Sequence, residues 1–455
     1  MRLPVHSTSR GRLARALGVA LGTAGFAAGA APAHAQRADT LATPRATPRA
    51  TPPGATLRLT RADAIRQALA NNPTIQIARE QIAQSRARLR SSVALPEPSI
   101  GVSVLGQPGV LRPHSGSETD VGVGVTIPFP NKYRLLAQAA RGDVGTFEAG
   151  YDLQRQLVVL QTNQAYDSLL VSLQHRRDLE ESRRLTADFY ERTQARFNAG
   201  TVPKLDVIKA QVTVAQAEND LIANERGVAN ARAALNRLTG RVLGAPVDAV
   251  DSLVVPADVP DVDRLMALAM ANRPELKSIA AARAGARASE KLAQQYFLPD
   301  VSLNVSRNNV YGDPIAYSTG IGLTIPLPWQ HQGGEVAEAR SRQRELEAQY
   351  RDVLAQVQQD LGNAYANAST ALRQAVYLRD QLLPAARDAY RAAAASYSLG
   401  GSSSLEVIDA QRTLLDAQTQ YAAALAAAND AVADLERAAG APLSSAITAP
   451  TGPAR

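Results

Sequence analysis

Among the side chains that commonly serve in catalytic or metal sites, carboxylates are abundant, whereas cysteine and histidine are absent or rare. The sequence has no cysteine, and its five histidines (His6, His34, His114, His175 and His331) are scattered without the spacing of a metal site. It also has no glycine-rich phosphate-binding loop. We therefore expect a protein that is not an enzyme and needs no metal or other cofactor.

Two of the acids lie in turns that are copies of each other. Residues 200–211 (GTVPKLDVIKAQ) correspond to residues 400–411 (GGSSSLEVIDAQ). In each, a glycine turn leads into a helix start with an acid in its first turn, Asp206 or Glu406. The register then holds without a gap as far as Gly440. A repeat of this length predicts one structural unit used twice.

The first 35 residues have the features of a secretory signal peptide. Arginines precede a small apolar run at residues 17–31, and Ala-His-Ala at 33–35 fits a cleavage site. An N-terminal membrane anchor is the alternative. With no cysteine after the cleavage site, we expect no lipid anchor. Residues 36–56, rich in Ala-Thr-Pro, are predicted to be a disordered linker.

The positive charge belongs mainly to this N-terminal segment. Six of the seven net positive charges lie in the first 55 residues, so the remainder is almost neutral. The high pI therefore gives no reason to expect a nucleic-acid partner.

Beyond the linker, the pattern predicts a mainly α protein with a small β part. Two very long helices, about 131–198 and 334–398, each lead through a glycine turn into a return helix. Pro384 is expected to kink the second long helix. The predicted organisation is a first repeat at 57–240, a link at 241–260, a second repeat at 261–440 and a disordered tail at 441–455.

Four segments alternate apolar residues with small or polar ones and are predicted to be strands, at about 98–106, 120–129, 300–309 and 318–327. They could form two hairpins of a soluble sandwich, or the lipid-facing and lumen-facing positions of an outer-membrane barrel. Four strands cannot close a barrel, and open edges are not tolerated in lipid. If the strands lie in a membrane, several chains must share one barrel, and three chains would supply twelve strands.

Several short motifs recur in the same order in both copies. They are Asn-x-Pro at 71–73 and 272–274, Leu-Pro-[Glu/Asp] at 95–97 and 298–300, and Thr-Ile-Pro-x-Pro at 126–130 and 324–328. With Leu-Leu-Pro at 382–384 and the two glycine turns, this order resembles the outer membrane efflux protein family, the TolC-like channels. The residues after each proline corner, 130–132 and 332–335, resemble its CzcC-like heavy-metal branch.

The resemblance implies a homotrimer with a twelve-stranded barrel in the outer membrane and a long periplasmic α-barrel. Such a channel exports small molecules or metal cations, and its partners are a periplasmic adaptor and an inner-membrane pump of RND type. The positions that contact the adaptor match the two tips, at Gly200, Thr201, Val202, Gly400, Gly401 and Ser402.

The resemblance also assigns a gate. The acidic ring that constricts such channels matches Glu406 and Asp409, one turn apart on one helix face, although Glu406 could simply interact with the helix dipole. The acid and the tyrosine of the closed-state lock match Asp206 and Tyr397. Ser402 occupies the position of the lock's arginine, so that part is missing or replaced.

Two rival functions remain open at this point. A type I protein-secretion channel in the outer membrane has the same architecture. A secreted coiled-coil scaffold with soluble hairpins would have the same helices but no channel.

Overall fold

The computed structural model describes residues 56–94, 96–105, 118–310, 316–325 and 329–443, with the backbone alone for residues 310 and 329. The predicted signal peptide, the linker up to residue 55, the second proline corner at 326–328 and the tail from residue 444 lie outside the described residues. Within the described ranges, we find no helix long and apolar enough to cross a membrane.

The first copy of the unit begins with a short strand and ends with a helical hairpin. Its elements are β1 (Leu57–Leu59), α1 (Arg61–Asn71), α2 (Pro73–Ser92), β2 (Ser99–Leu105), β3 (Glu118–Ile127), α3 (Pro130–Asn198) and α4 (Lys204–Leu238). With 69 residues, α3 is about 100 Å long at the usual helical rise. We call α3 and α4 hairpin 1.

The second copy repeats this order after the short strand β4 (Val247–Ala249), which pairs in parallel with β1. Its elements are α5 (Val262–Asn272), α6 (Pro274–Gln295), β5 (Asp300–Val310), β6 (Ala316–Thr324), α7 (Trp329–Tyr377), a π-helical turn (Leu378–Leu382), α8 (Leu383–Ser398) and α9 (Ser404–Ala439). We call α7 to α9 hairpin 2. The predicted fold class, mainly helical with four strands in two copies, is confirmed.

The π-helical turn lies directly before Pro384, where the sequence predicts a kink. Proline has no N–H to donate to the carbonyl of Asp380, and its ring crowds that carbonyl in a regular helix. A widened turn is one way in which a helix accommodates such a break.

Different contacts stabilise the proline breaks of the two copies. Asn72 caps α2 and donates a 3.2 Å hydrogen bond to the carbonyl of Leu238. The equivalent Arg273 is buried, and its guanidinium donates to Asp360 of α7 at 2.9 Å. Each break thus holds the short helix pair against its own long hairpin, by an amide in one copy and an ion pair in the other.

The four longer strands form one antiparallel sheet in the order β2, β3, β5, β6. The register places like residues together, since Val123 lies opposite both Ile100 and Val305, whereas glycine and polar residues align on the other face. Ile100 is 77% exposed and Ile321 is 82% exposed on the apolar face. The period-two alternation therefore produces an apolar face that no described part of the chain covers.

A buried lysine connects this sheet to the helices. Lys132, at the start of α3, donates from Nζ to Asp300 Oδ1 at 2.7 Å and to the carbonyl of Leu298 at 3.2 Å. Asp300 also accepts a hydrogen bond from the backbone of Phe129. A buried ammonium needs such partners. Lys132 thus fixes the end of β3 against the start of β5.

Farther along α3, two glycines allow a close crossing between the copies. A Cβ added at Gly142 would lie 2.5 Å from the Cα of Gly285 on α6, a distance that no real contact allows. Gly285 is buried at the same crossing. The first long helix therefore packs backbone to backbone on the second copy.

Candidate functional site at the helical tips

Both hairpins end in the same kind of turn. Gly200 and Gly400 have positive φ angles of 73° and 84°, which residues with a Cβ rarely adopt. The next N–H in each turn reaches back five residues, from Thr201 to the carbonyl of Arg196 at 3.0 Å and from Gly401 to that of Ser396 at 2.9 Å. These bonds close the helix ends as in a Schellman motif.

The predicted adaptor-contacting residues lie at these turns with different exposure. Gly200, Thr201, Gly400 and Gly401 are exposed, whereas Val202 and Ser402 are partly buried. The hydroxyl of Ser402 donates to the carbonyl of Ala393 at 3.1 Å. Sequence reasoning missed Leu399, which is 88% exposed beside the second turn.

The two acids of the predicted ring are exposed in the first two turns of α9. Ser403 caps this helix, because its hydroxyl accepts from the backbone N–H of Glu406 at 3.4 Å and donates to the Glu406 carboxylate at 3.2 Å. Among the described residues, no cationic side chain pairs with Glu406 or Asp409. Glu406 therefore takes part in the N-cap of α9, and both carboxylates remain open to solvent.

The structure does not join the two residues of the predicted lock. Asp206 is partly buried in the first turn of α4, and no described residue donates a hydrogen bond to its carboxylate. Tyr397, at the end of α8, is only 5% exposed. Its hydroxyl lies 3.2 Å from that of the buried Thr193 on α3. The tyrosine is thus held by hairpin 1, but through α3 and not through Asp206.

An arginine that the sequence analysis missed completes this contact. The guanidinium of Arg196 lies 4.6 Å from the centre of the Tyr397 ring and donates to the Tyr397 carbonyl. The ring of Phe189 lies 5.1 Å from the same ring. We call Phe189, Thr193, Arg196 and Tyr397 the clasp. A comparison of the copies offered a signal, because the position equivalent to Arg196 is Ser396.

Further contacts join the two hairpins beside the clasp. Ala210 and Val407 are buried in the same apolar cluster as Tyr397. The amide of Gln411 on α9 donates to the hydroxyl of Ser182 on α3 at 3.1 Å. The two tips within one chain are therefore bound together by packing, an aromatic–cation contact and buried hydrogen bonds.

The part of the chain that the structure describes contains no cluster of three or more histidine, cysteine or acidic side chains that could hold a metal ion. His175 lies 3.4 Å from the hydroxyl of Thr419, and His331 pairs with Glu335 on its own helix. The described tips therefore offer exposed carboxylates and an interhelical clasp.

Comparison with known proteins identifies relatives of the whole repeated unit. The family model described as "Outer membrane efflux protein" matches residues 64–241 and 265–441, one match for each copy. The cobalt-zinc-cadmium resistance protein CzcC of Cupriavidus metallidurans is 26% identical over 314 residues, which is 68% of this chain and 71% of that protein. The cation efflux system protein CusC of Escherichia coli K12 is 23% identical, covering 77% of this chain and 79% of that protein.

Solved structures show the same fold. The outer membrane protein VceC of Vibrio cholerae superposes with a TM-score of 0.69 at 18% identity, covering 84% of this chain and 96% of that chain. At this level of identity, the likeness concerns the fold alone.

Proposed function

The chain belongs to the outer membrane efflux protein family, and we propose that three copies of it form the exit duct of a tripartite efflux system for metal cations. As a member of this family it is an outer-membrane efflux channel and not an enzyme. The trimer, the partners, the cargo and the gate are the proposed parts.

The open sheet carries the proposal. Of the described strands, β2 and β6 each have only one neighbour, so the sheet ends in two unpaired edges beside an exposed apolar face. In lipid, those backbone groups would be left without partners. Pairing β6 of one chain with β2 of the next chain removes every edge, and three chains give a closed barrel of twelve strands.

The helices would then continue below the membrane as a hollow bundle that ends at the tips. We propose that the two glycine turns contact a periplasmic adaptor, which joins the channel to an inner-membrane pump of RND type. The exposed Leu399 adds an apolar contact at the second turn.

The proposed cargo is metal cations. The relatives CzcC and CusC are named for cobalt, zinc and cadmium resistance and for cation efflux, respectively. The motifs after the proline corners support the same branch. Exposed carboxylates at the narrow end suit this cargo, because they attract cations without holding them in a closed coordination site.

We further propose a gate in two parts. Threefold symmetry brings six carboxylates, from Glu406 and Asp409 of each chain, together at the tip of the helical bundle. Their repulsion there opposes closure. The clasp opposes opening, because it ties the end of α8 to hairpin 1 within each chain. Asp206 on α4 is proposed to belong to the closed-state lock, which then forms only in the assembled trimer.

The proposal is tested with the full chain purified in detergent. We expect it to sediment and cross-link as a trimer and to form ion-conducting channels in planar bilayers. Removing residues 99–127, which contain β2 and β3, should abolish conductance while the remaining helices keep their circular dichroism. A wild-type chain that stays soluble without detergent and never conducts would favour the scaffold.

Neutralising the carboxylate ring is expected to reduce the preference for cations. In Glu406→Gln/Asp409→Asn, we expect the potassium-to-chloride permeability ratio to fall on the order of threefold or more, because fixed charge at a constriction concentrates counter-ions. The measurement is the reversal potential in a salt gradient. Asp388→Asn is the matched control, since this exposed acid on α8 already pairs with Arg391. Equal ratios in all three proteins would refute the ring.

A further inference from the structure

A partly buried acidic cluster lies far from the tips, where α1, α3 and α9 meet. Asp167 of α3 is fully buried and accepts hydrogen bonds from both terminal nitrogens of Arg61, one of them at 2.8 Å. The backbone N–H of Arg61 donates to Asp251 at 2.7 Å. Asp430 of α9 is the third carboxylate in the field of this guanidinium. We call these four residues the acidic junction.

Asp430 is the member without a partner. Its Oδ1 is buried, and no described residue donates a hydrogen bond to it. On α3, one turn before Asp167, Asn163 also has a buried Oδ1 without a donor. Asn163 lines a cavity of about 360 Å³ together with Ala433 of α9. The contact between α3 and α9 therefore has more acceptors than donors, which is costly when they are ionised or unpaired.

The charges around Asp430 oppose its ionisation. Asp167 faces it from α3 and Asp434 from its own helix. Among the described residues, the cation that acts on Asp430 is Arg61 of α1, and it is already bound to Asp167. Burial is the largest cause, followed by these two carboxylates, and together they raise the pKa of Asp430 to about 6, with Arg61 acting in the opposite direction.

We propose that Asp430 is a proton-operated contact between the two copies of the unit. When it is neutral, Asp430 is not repelled by Asp167, and α9 packs against α3 without an unpaired buried charge. When it ionises, three carboxylates share one guanidinium and the contact loosens. Because α9 begins at the candidate gate, the proton sets how firmly that helix is held at its other end. This last consequence rests on the proposed function, but the proton-dependent contact does not.

The sign of the pH effect follows from the raised pKa. Between the ordinary aspartate value of 3.8 and about 6, the folded chain binds a proton that the unfolded chain has lost. Stability from this group is therefore lost as the pH rises through that window, and it stays lost above it.

Thermal unfolding of the full chain in detergent, followed by helical circular dichroism, tests the proposal. We expect the Tm of the wild type to fall by several degrees between about pH 4.5 and about pH 7.5. In Asp430→Asn, which keeps the shape but cannot ionise, most of this fall should disappear, and the Tm near neutral pH should equal or exceed that of the wild type.

Asp416→Asn is the matched control, because Asp416 is an exposed aspartate on the same helix, about four turns before Asp430. It should retain the fall. The same pH dependence in Asp430→Asn and the wild type would overturn the proposal, as would a lower Tm of Asp430→Asn near neutral pH.

Hydrogen exchange in the wild type gives a second readout that requires no variant. After correction for intrinsic rates, the segment around residues 425–437 should exchange faster at neutral pH than at mildly acidic pH. Residues 337–347 of α7, which lie outside the apolar cluster around Leu435, should not change. Equal protection of residues 425–437 at both pH values would refute the switch.

Discussion

Replacing Arg196 with alanine is expected to raise the open probability of the channel about tenfold or more. The change removes a guanidinium stacked 4.6 Å from the Tyr397 ring and a charged hydrogen bond to its carbonyl. A partly buried cation–aromatic contact contributes about 1–2 kcal/mol and a charged hydrogen bond a similar amount. If the clasp exists only in the closed state, a loss of about 1.4 kcal/mol shifts the equilibrium tenfold.

The measurement is single-channel recording in planar bilayers. Arg192→Ala is the matched control, because Arg192 lies one turn earlier on α3, is exposed and pairs with Asp188 on its own helix. Its open probability should match the wild type. Arg196→Lys should give an intermediate value, since an ammonium keeps the charge but loses the planar stacking. An Arg196→Ala channel as closed as Arg192→Ala would mean that the clasp only stabilises the chain.

The sequence predicted the elements well where one local pattern determines them. Alternation with period two located the four strands of the antiparallel sheet, because each alternating face must be buried or exposed as a whole. Prediction extended two strands too far toward the proline corners. β3 ends at Ile127 and β6 at Thr324, because Pro128 cannot donate to the sheet ladder and residue 325 no longer pairs.

The clasp was harder to predict because its residues are about 200 positions apart in the chain. Apart from the difference from Ser396 in the other copy, the sequence around Arg196 does not distinguish it from the other arginines on α3, most of which lie on solvated faces. The resemblance directed attention to Asp206 and Ser402, whereas the structure places Thr193 and Arg196 on Tyr397. That choice depends on how two hairpins pack, which local propensity does not encode.

Lys132 shows the same limit. In the sequence it served only as part of a motif, and a lysine at a helix start is normally exposed. Its burial follows from Asp300, which begins a strand in the other copy and supplies the compensating charge. The differences between the copies, including Arg273 in place of Asn72, therefore mark contacts that the repeat alone cannot explain.

The helix crossing at Gly142 provides a prediction about stability. A Cβ at this position would lie 2.5 Å from the Cα of Gly285 and 2.9 Å from the carbonyl oxygen of Ala281, and both are backbone atoms that cannot rotate away. Gly142→Leu must separate α3 from α6. We expect it to lower the free energy of unfolding by about 3 kcal/mol or more, and to reduce the yield of trimer.

Gly150→Ala is the matched control on the same helix, because a Cβ there would meet no atom within 4 Å. Removing a glycine from an exposed helix position should raise stability by about 1 kcal/mol. Opposite shifts in Tm at the two positions would therefore distinguish the steric effect at the crossing from the effect of helix propensity. Gly142→Leu with the Tm and trimer yield of the wild type would show that the copies do not need this close contact. The crossing joins α3 of one copy to α6 of the other. Such a result would therefore mean that the clasp and the acidic junction, rather than this crossing, hold the two copies together.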